Sequence, residues 1–205
     1  MNNRQYFLKI FKEANKKYFR KKKRLAAEGW KSDWKTLITT ILSAQSRDET
    51  TIPTAENLFK NYPSQKTLAN AKQKDVLKLL KSMNYNKTKT KNIIAASKYL
   101  LKYHKGRVPN SIEQLIKIPG VGRKTANLVL SECHNKQTIT VDTHVHRISN
   151  VLGLVNTKTP EKTEQELMKI APKQYWNKIN RIFILWGKEV PGKSKEKLLK
   201  KLEEK

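Results

Sequence analysis

An all-α chain, one medium domain or two small ones, is what these 205 residues encode. Apolar residues recur at three- and four-residue intervals along most of the length, the stripe that a helix buries. Only seven Gly and seven Pro are present, which disfavours an all-β fold with its many tight turns. The one noticeable β-branched stretch, Thr138 to Val141, is brief.

Phe7, Ile10, Phe11, Ala14 and Tyr18 predict a basic amphipathic first helix, ending near the run Arg20 to Arg24. Glu13 and the abundant Lys favour a packed helix with a solvated outer face over a targeting segment. Trp34, Leu37, Ile38, Ile41 and Leu42 predict the next helix, with Gln45 on or beside its buried face where it ends, and polar Ser43 to Asp48 forming a turn. Further helices are expected at Ala55 to Phe59, at Val76, Leu77, Leu80 and Met83, at Ile93, Ala96, Leu100 and Leu101, and at Ile112, Leu115 and Ile116. Val129 and Leu130 extend another, Ile148, Val151 and Leu152 resume the spacing, and Leu167 with Ile170, then Ile179, Ile182, Phe183 and Trp186, complete the set. After Gly187 the chain is mostly Lys and Glu; Leu198, Leu199 and Leu202 fit either a short helix or a frayed end. There is no repeat of fixed period and no glycine-serine linker, so two domains would be defined by packing alone.

Charge bounds the partners. Lys and Arg number 44 against 17 Asp and Glu, a formal net charge of +27 that suits a polyanion. An apolar fraction of 37% still permits a real core and excludes wholesale disorder. Cys133 is alone, which excludes an internal disulfide, a four-thiolate zinc site or a four-thiolate iron-sulfur site within this chain. Of His104, His134, His144 and His146 only the last two are close, and residues two apart on a helix point to different faces, so no metal is expected. No apolar run approaches the roughly 20 residues of a membrane span, and no uninterrupted signal core is present. The expected setting is a reducing compartment that holds nucleic acid, cytoplasmic and nucleoid-associated or nuclear, without secretion or a membrane partner.

The informative segment is Leu115 to Leu130, two apolar helical stretches joined at Pro119, Gly120, Val121 and Gly122. Proline ends the first helix and each glycine can take positive φ without Cβ strain. Such a hairpin leaves backbone N–H groups ahead of a helix N-terminus, where they and the macrodipole attract an oxyanion. With this much positive charge, a nucleic-acid phosphate is the expected guest; the alternative is a helix C-cap and plain connector.

These residues carry a resemblance. Ile118-Pro-Gly-Val-Gly-Arg-Lys-Thr-Ala126, followed by Val141-Asp-Thr-His-Val-His-Arg147, resembles the helix-hairpin-helix DNA glycosylases, specifically their endonuclease III branch. Leu42-Ser-Ala-Gln-Ser-Arg-Asp48 upstream and Ile184-Leu-Trp-Gly187 downstream extend the likeness over most of the chain. It implies a two-lobed all-α fold with a DNA-binding cleft between a six-helix central domain over residues 31–135 and a second domain built from residues 1–30 and 136–205. It also implies a base-excision-repair glycosylase with abasic-site lyase activity, removing oxidised pyrimidines from duplex DNA as a monomer. Mismatched or oxidised purines are the alternative substrates, and a non-catalytic DNA-binding module is the alternative of another class.

By the same resemblance Lys124 is the nucleophile and Asp142 an essential carboxylate. The lysine must be neutral to attack a sugar, which desolvation beneath DNA and a nearby helix N-terminus favour. Asp142 is also suited to N-cap the helix that begins at Thr143. Gln45 occupies the position that fills the gap left by a flipped base, although it could instead satisfy a helix end. Tyr85 falls where the family has an apolar wedge, or else belongs to the core. His144 helps shape the pocket or is an ordinary helix residue. Lys89, Pro119, Gly120, Val121, Gly122, Arg123 and Thr125 complete the expected DNA-contacting set. Two departures stand out. Most of the family holds a [4Fe–4S] cluster with four cysteines shortly after the equivalent of Gly187, where this chain has Lys188 to Ser194, so no cofactor is expected. Asn84 and Asn86 replace the usual glycine and aromatic residue beside the wedge.

Overall fold

The structure, a computed structural model, describes residues 2–204. Among them are α1 (Asn3–Tyr18), α2 (Asp33–Ser43), α3 (Asp48–Asn61), α4 (Gln65–Ala69), α5 (Gln73–Leu79), α6 (Asn86–His104), α7 (Ile112–Leu115), α8 (Arg123–His134), α9 (Thr143–Val151), α10 (Pro160–Ile170), α11 (Trp176–Glu189) and α12 (Lys195–Glu203), with no strand among the described residues. The β-branched stretch at Thr138 to Val141 is extended loop, whose Thr140 carbonyl accepts a hydrogen bond from Asn180 Nδ2 at 3.1 Å. No helix among the described residues is long and apolar enough to cross a membrane.

The chain packs as two units. One comprises residues 24–135, with α2 at its centre against α3, α6 and α8. Leu37, Ile38, Ile41 and Leu42 from α2 meet Leu58, Ile93, Leu100, Leu115 and Val129, all buried. Each such side chain contributes roughly 1.5–3 kcal/mol of apolar burial. Segment 24–30 belongs here, although the sequence suggested a start at Lys31. Leu25, Ala26 and Ala27 are buried, Trp30 sits edge-on to Phe59 at 5.1 Å, and the Arg24 guanidinium lies 4.3 Å from the Trp30 ring centroid. Four- and five-residue helices α7 and α4 bring the helical segments of this unit to seven.

The other unit comprises residues 2–23 with 136–204, organised around α11. Ile179, Ile182, Phe183 and Trp186 recur on its buried face, and α1 and α9 pack against it. Tyr18 of α1 stacks on Trp186 at 6.3 Å and Phe7 on Phe11 at 5.2 Å, so the first helix is a packed element. The terminal segment forms a helix: Ser194 caps it by accepting from Lys197 N–H at 3.2 Å, and Leu198 anchors it in the core.

Candidate active site

The hairpin between α7 and α8 is built as its residue types dictate. Ile118 and Val121 are buried, and Val121 N–H closes a turn on the Ile118 carbonyl at 3.0 Å. Gly120 has φ +81°, the left-handed region that favours glycine. A second constraint was invisible in the sequence: a Cβ at Gly120 would lie 2.8 Å from Asn92 Cβ on α6. Gly120→Ala therefore combines left-handed strain of about 1–2 kcal/mol with overpacking of about 1–3 kcal/mol. We expect it to lower unfolding free energy in urea by about 2–4 kcal/mol, whereas Gly122→Ala, with extended backbone and nothing within 4 Å, costs less than about 1 kcal/mol. Equal losses would mean that close approach to α6 is not what holds the turn.

Gly122 is the N-cap of α8 and supplies no side-chain cap; the first helical bond runs from Ala126 N–H to the Gly122 carbonyl at 2.9 Å. The amides of the first turn thus precede the intrahelical ladder and, with the helix dipole, form a positive end suited to a phosphate oxygen. Arg123 and Lys124 are exposed as the first and second residues of the helix. Thr125 and Val121 are buried, so neither offers its side chain at the surface of the hairpin. Pro119 is half-buried as the second residue of the turn.

Two more expected residues lie at loop tips of the same unit. Gln45, expected on or beside the buried face where the helix ends, is exposed in the turn beyond it, because α2 ends at Ser43 and Gln45 takes φ 53°. Tyr85, with φ 55°, precedes α6 and is 65% exposed, which disposes of the core reading. Lys89 departs from its expected place on the DNA-contacting surface. It is 5% exposed and its Nζ donates to Ser46 Oγ at 2.6 Å. Burial pulls its pKa down to about 8. The signal was present in the sequence: Lys89, Ile93, Ala96 and Leu100 share one helical stripe.

Asp142 and His144 belong to the other unit. Asp142 N-caps α9, its Oδ1 accepting from Val145 N–H at 2.9 Å, and is partly exposed. Arg147, one turn on, is buried enough that desolvation lowers its pKa, the Asp142 charge opposing that shift. His144 lies against α11 so closely that a Cβ on Gly187 would fall within 3 Å of its ring and of the Arg147 guanidinium. This explains the glycine at 187.

Arg147 also organises the segment after α11, a role its sequence context did not reveal. Its Nη2 donates to the carbonyls of Gly187 and Val190, each at 3.1 Å, and its Nη1 to that of Gly192. Lys17 Nζ donates to the Lys201 carbonyl at 2.6 Å and to that of Glu204, holding the end of α12. A [4Fe–4S] cluster requires four thiolates, and this chain has Cys133 alone. That thiol lies on α8 in the first-described unit, 3.8 Å from the Asp33 carbonyl, where burial above all pushes its pKa up to about 12. Among the described residues no group of three or more His, Cys, Asp or Glu could hold a metal ion. The residues present do not fit the cluster.

The chain matches the model of the HhH-GPD superfamily of base excision DNA repair proteins over residues 38–173. Endonuclease III of Thermotoga maritima is 44% identical over 157 residues, covering 77% of this chain and 74% of that protein. Endonuclease III of Rickettsia conorii is 37% identical over 161 residues, covering 78% and 77% respectively. A solved structure of a trapped endonuclease III–DNA covalent intermediate matches with a TM-score of 0.85 at 29% identity, over 92% of this chain and 88% of that one. With the hairpin, the lysine and the capping aspartate in family order on an all-helical frame, the chain belongs to the HhH-GPD superfamily of base excision DNA repair proteins, in its endonuclease III branch.

Proposed function

We propose that this protein, a DNA glycosylase with abasic-site lyase activity, removes oxidised pyrimidines from duplex DNA using Lys124 as nucleophile and Asp142 as its essential carboxylate. The observation that carries the assignment is the placing of Lys124: exposed, second in α8, directly behind a glycine hairpin whose helix end lacks a side-chain cap. The amides of that end hold a backbone phosphate, and Arg123 adds charge. The damaged nucleotide leaves the stack, since its C1′ is out of reach within the duplex.

The neutral Lys124 amine then attacks C1′, the glycosidic bond breaks, and the base departs with the electron pair and takes up a proton. The amine gives up one proton on bond formation, its lone pair then opens the sugar ring as O4′ takes up a proton, and a protonated imine links Nζ to C1′. Removal of a C2′ proton expels the 3′ phosphate by β-elimination, which nicks the strand. Water hydrolyses the imine and returns the free amine. Asp142 spends one oxygen on the α9 cap, leaving the other to stabilise positive charge on the sugar or to carry a proton. The endonuclease III–DNA covalent intermediate among the structural relatives supports an enzyme-linked path.

The reading is tested by incubating the protein with a thymine-glycol duplex and with an abasic duplex in the presence of borohydride, which reduces the imine to a stable amine. A covalent protein–DNA band and a nicked strand are expected with both. Nicking of the abasic duplex without action on thymine glycol would shift the substrate to another lesion, and no band with either would overturn the lyase assignment.

A further inference from the structure

Gln45 and Tyr85 are exposed tips of two separate loops, and both are held at positive φ. A residue with a Cβ pays roughly 1–2 kcal/mol there and stays only where its surroundings over-determine it. Here the surroundings include side chains that cross from one loop to the other. Asn84, just before Tyr85, donates from Nδ2 to the Gln45 carbonyl at 3.2 Å. Lys89, in the first turn of α6, donates from Nζ to Ser46 Oγ at 2.6 Å, next in the chain to Gln45. Asn86 Nδ2 donates to the Lys81 carbonyl at 3.3 Å and closes the Tyr85 loop on itself.

Lys89 is the informative member. Hiding an amine costs free energy that a methionine of similar reach would not incur, and burial already disfavours its charged form. What the amine adds at this position is the bond to the opposite loop. Asn84 stands where the resemblance implies a glycine, so the second cross-loop bond comes from a side chain the rest of that branch does not usually carry there.

We propose that Asn84 and Lys89 are positioning residues that latch the Gln45 and Tyr85 tips into one preorganised, two-pronged wedge, which enters the base stack as a unit when the damaged nucleotide leaves it. The proposal rests on the reading of Gln45 and Tyr85 as DNA-inserting residues. Its physical content is entropic: loops ordered before binding do not lose the roughly 1–2 kcal/mol per residue that fixing free backbone costs.

The test uses a duplex carrying a tetrahydrofuran abasic analogue, which cannot form an imine, with 2-aminopurine as the base opposite it. Wild-type protein at saturation is expected to change 2-aminopurine emission as the wedge displaces that base. The double variant Asn84→Ala, Ser46→Ala removes both cross-loop bonds at partly or fully exposed positions and is expected to lose most of that change at saturation. Its affinity for the same duplex should fall roughly three- to tenfold, the worth of one or two hydrogen bonds. Lys89→Met should reproduce the loss from the α6 side. Full wild-type emission from the double variant at saturation overturns the latch, and so does a loss of emission that tracks a loss of folded protein by circular dichroism. Because the analogue does not react, these outcomes stand apart from Lys124 chemistry, which borohydride trapping on a natural abasic site reports separately.

Discussion

Lys124→Ala is expected to abolish the borohydride-trapped adduct and to lower strand nicking at an abasic site by about three orders of magnitude or more, the scale on which removing a covalent nucleophile acts. No neighbour substitutes for it. Arg123 is adjacent and exposed, but a guanidinium keeps its proton and does not form the imine. The fold should not notice the change. Lys124 is solvent-exposed on the first turn of α8, alanine is at least as good a helix former, and exposed substitutions of this kind stay within about 0.5 kcal/mol. Affinity for an abasic-analogue duplex should fall by no more than the worth of one phosphate contact, since the hairpin amides remain. An undiminished adduct would assign the nucleophile to another amine.

Asp142 has two tasks that substitution can separate. In Asp142→Asn the side chain still accepts from Val145 N–H, because asparagine caps helices about as well as aspartate, but the negative charge is gone. Excision and nicking are then expected to fall by about 10²- to 10⁴-fold, the range for loss of a charge-stabilising or proton-transferring group, at nearly unchanged thermal stability. Asp142→Ala should lose the same activity and, in addition, about 1 kcal/mol of cap, seen as a Tm lower by about 2–4 °C. Single-turnover excision and thermal melting of both variants make the comparison. An Asp142→Asn protein as active as wild type would leave Asp142 with the cap alone.

Much of this frame was legible in the sequence because helical periodicity is a local property. The stripes Phe7 to Tyr18, Leu37 to Leu42 and Ile179 to Trp186 mark buried faces that the structure confirms. The hairpin was legible for the same reason, since proline and glycine act on their own backbone. Close approach between distant elements was not. That Gly120 faces Asn92, and that Gly187 lies under His144 and Arg147, depends on residues 28 and more positions away that no spacing rule links. Gln45 was placed on or beside the buried face at the helix end, and its exposure follows from a backbone that turns left-handed just past the end of α2, which no spacing rule shows. Lys89 was read as surface because lysine usually is, although its stripe with Ile93, Ala96 and Leu100 pointed inward.

Arg147 and Lys17 tie down the chain after α11 through cationic side chains alone. Those anchors are side-chain nitrogens donating to carbonyl oxygens, charge-assisted hydrogen bonds that need no thiolate. What orders this arm in place of covalent bonds to a metal is a set of reversible contacts, each of which a single substitution at Arg147 or Lys17 would remove.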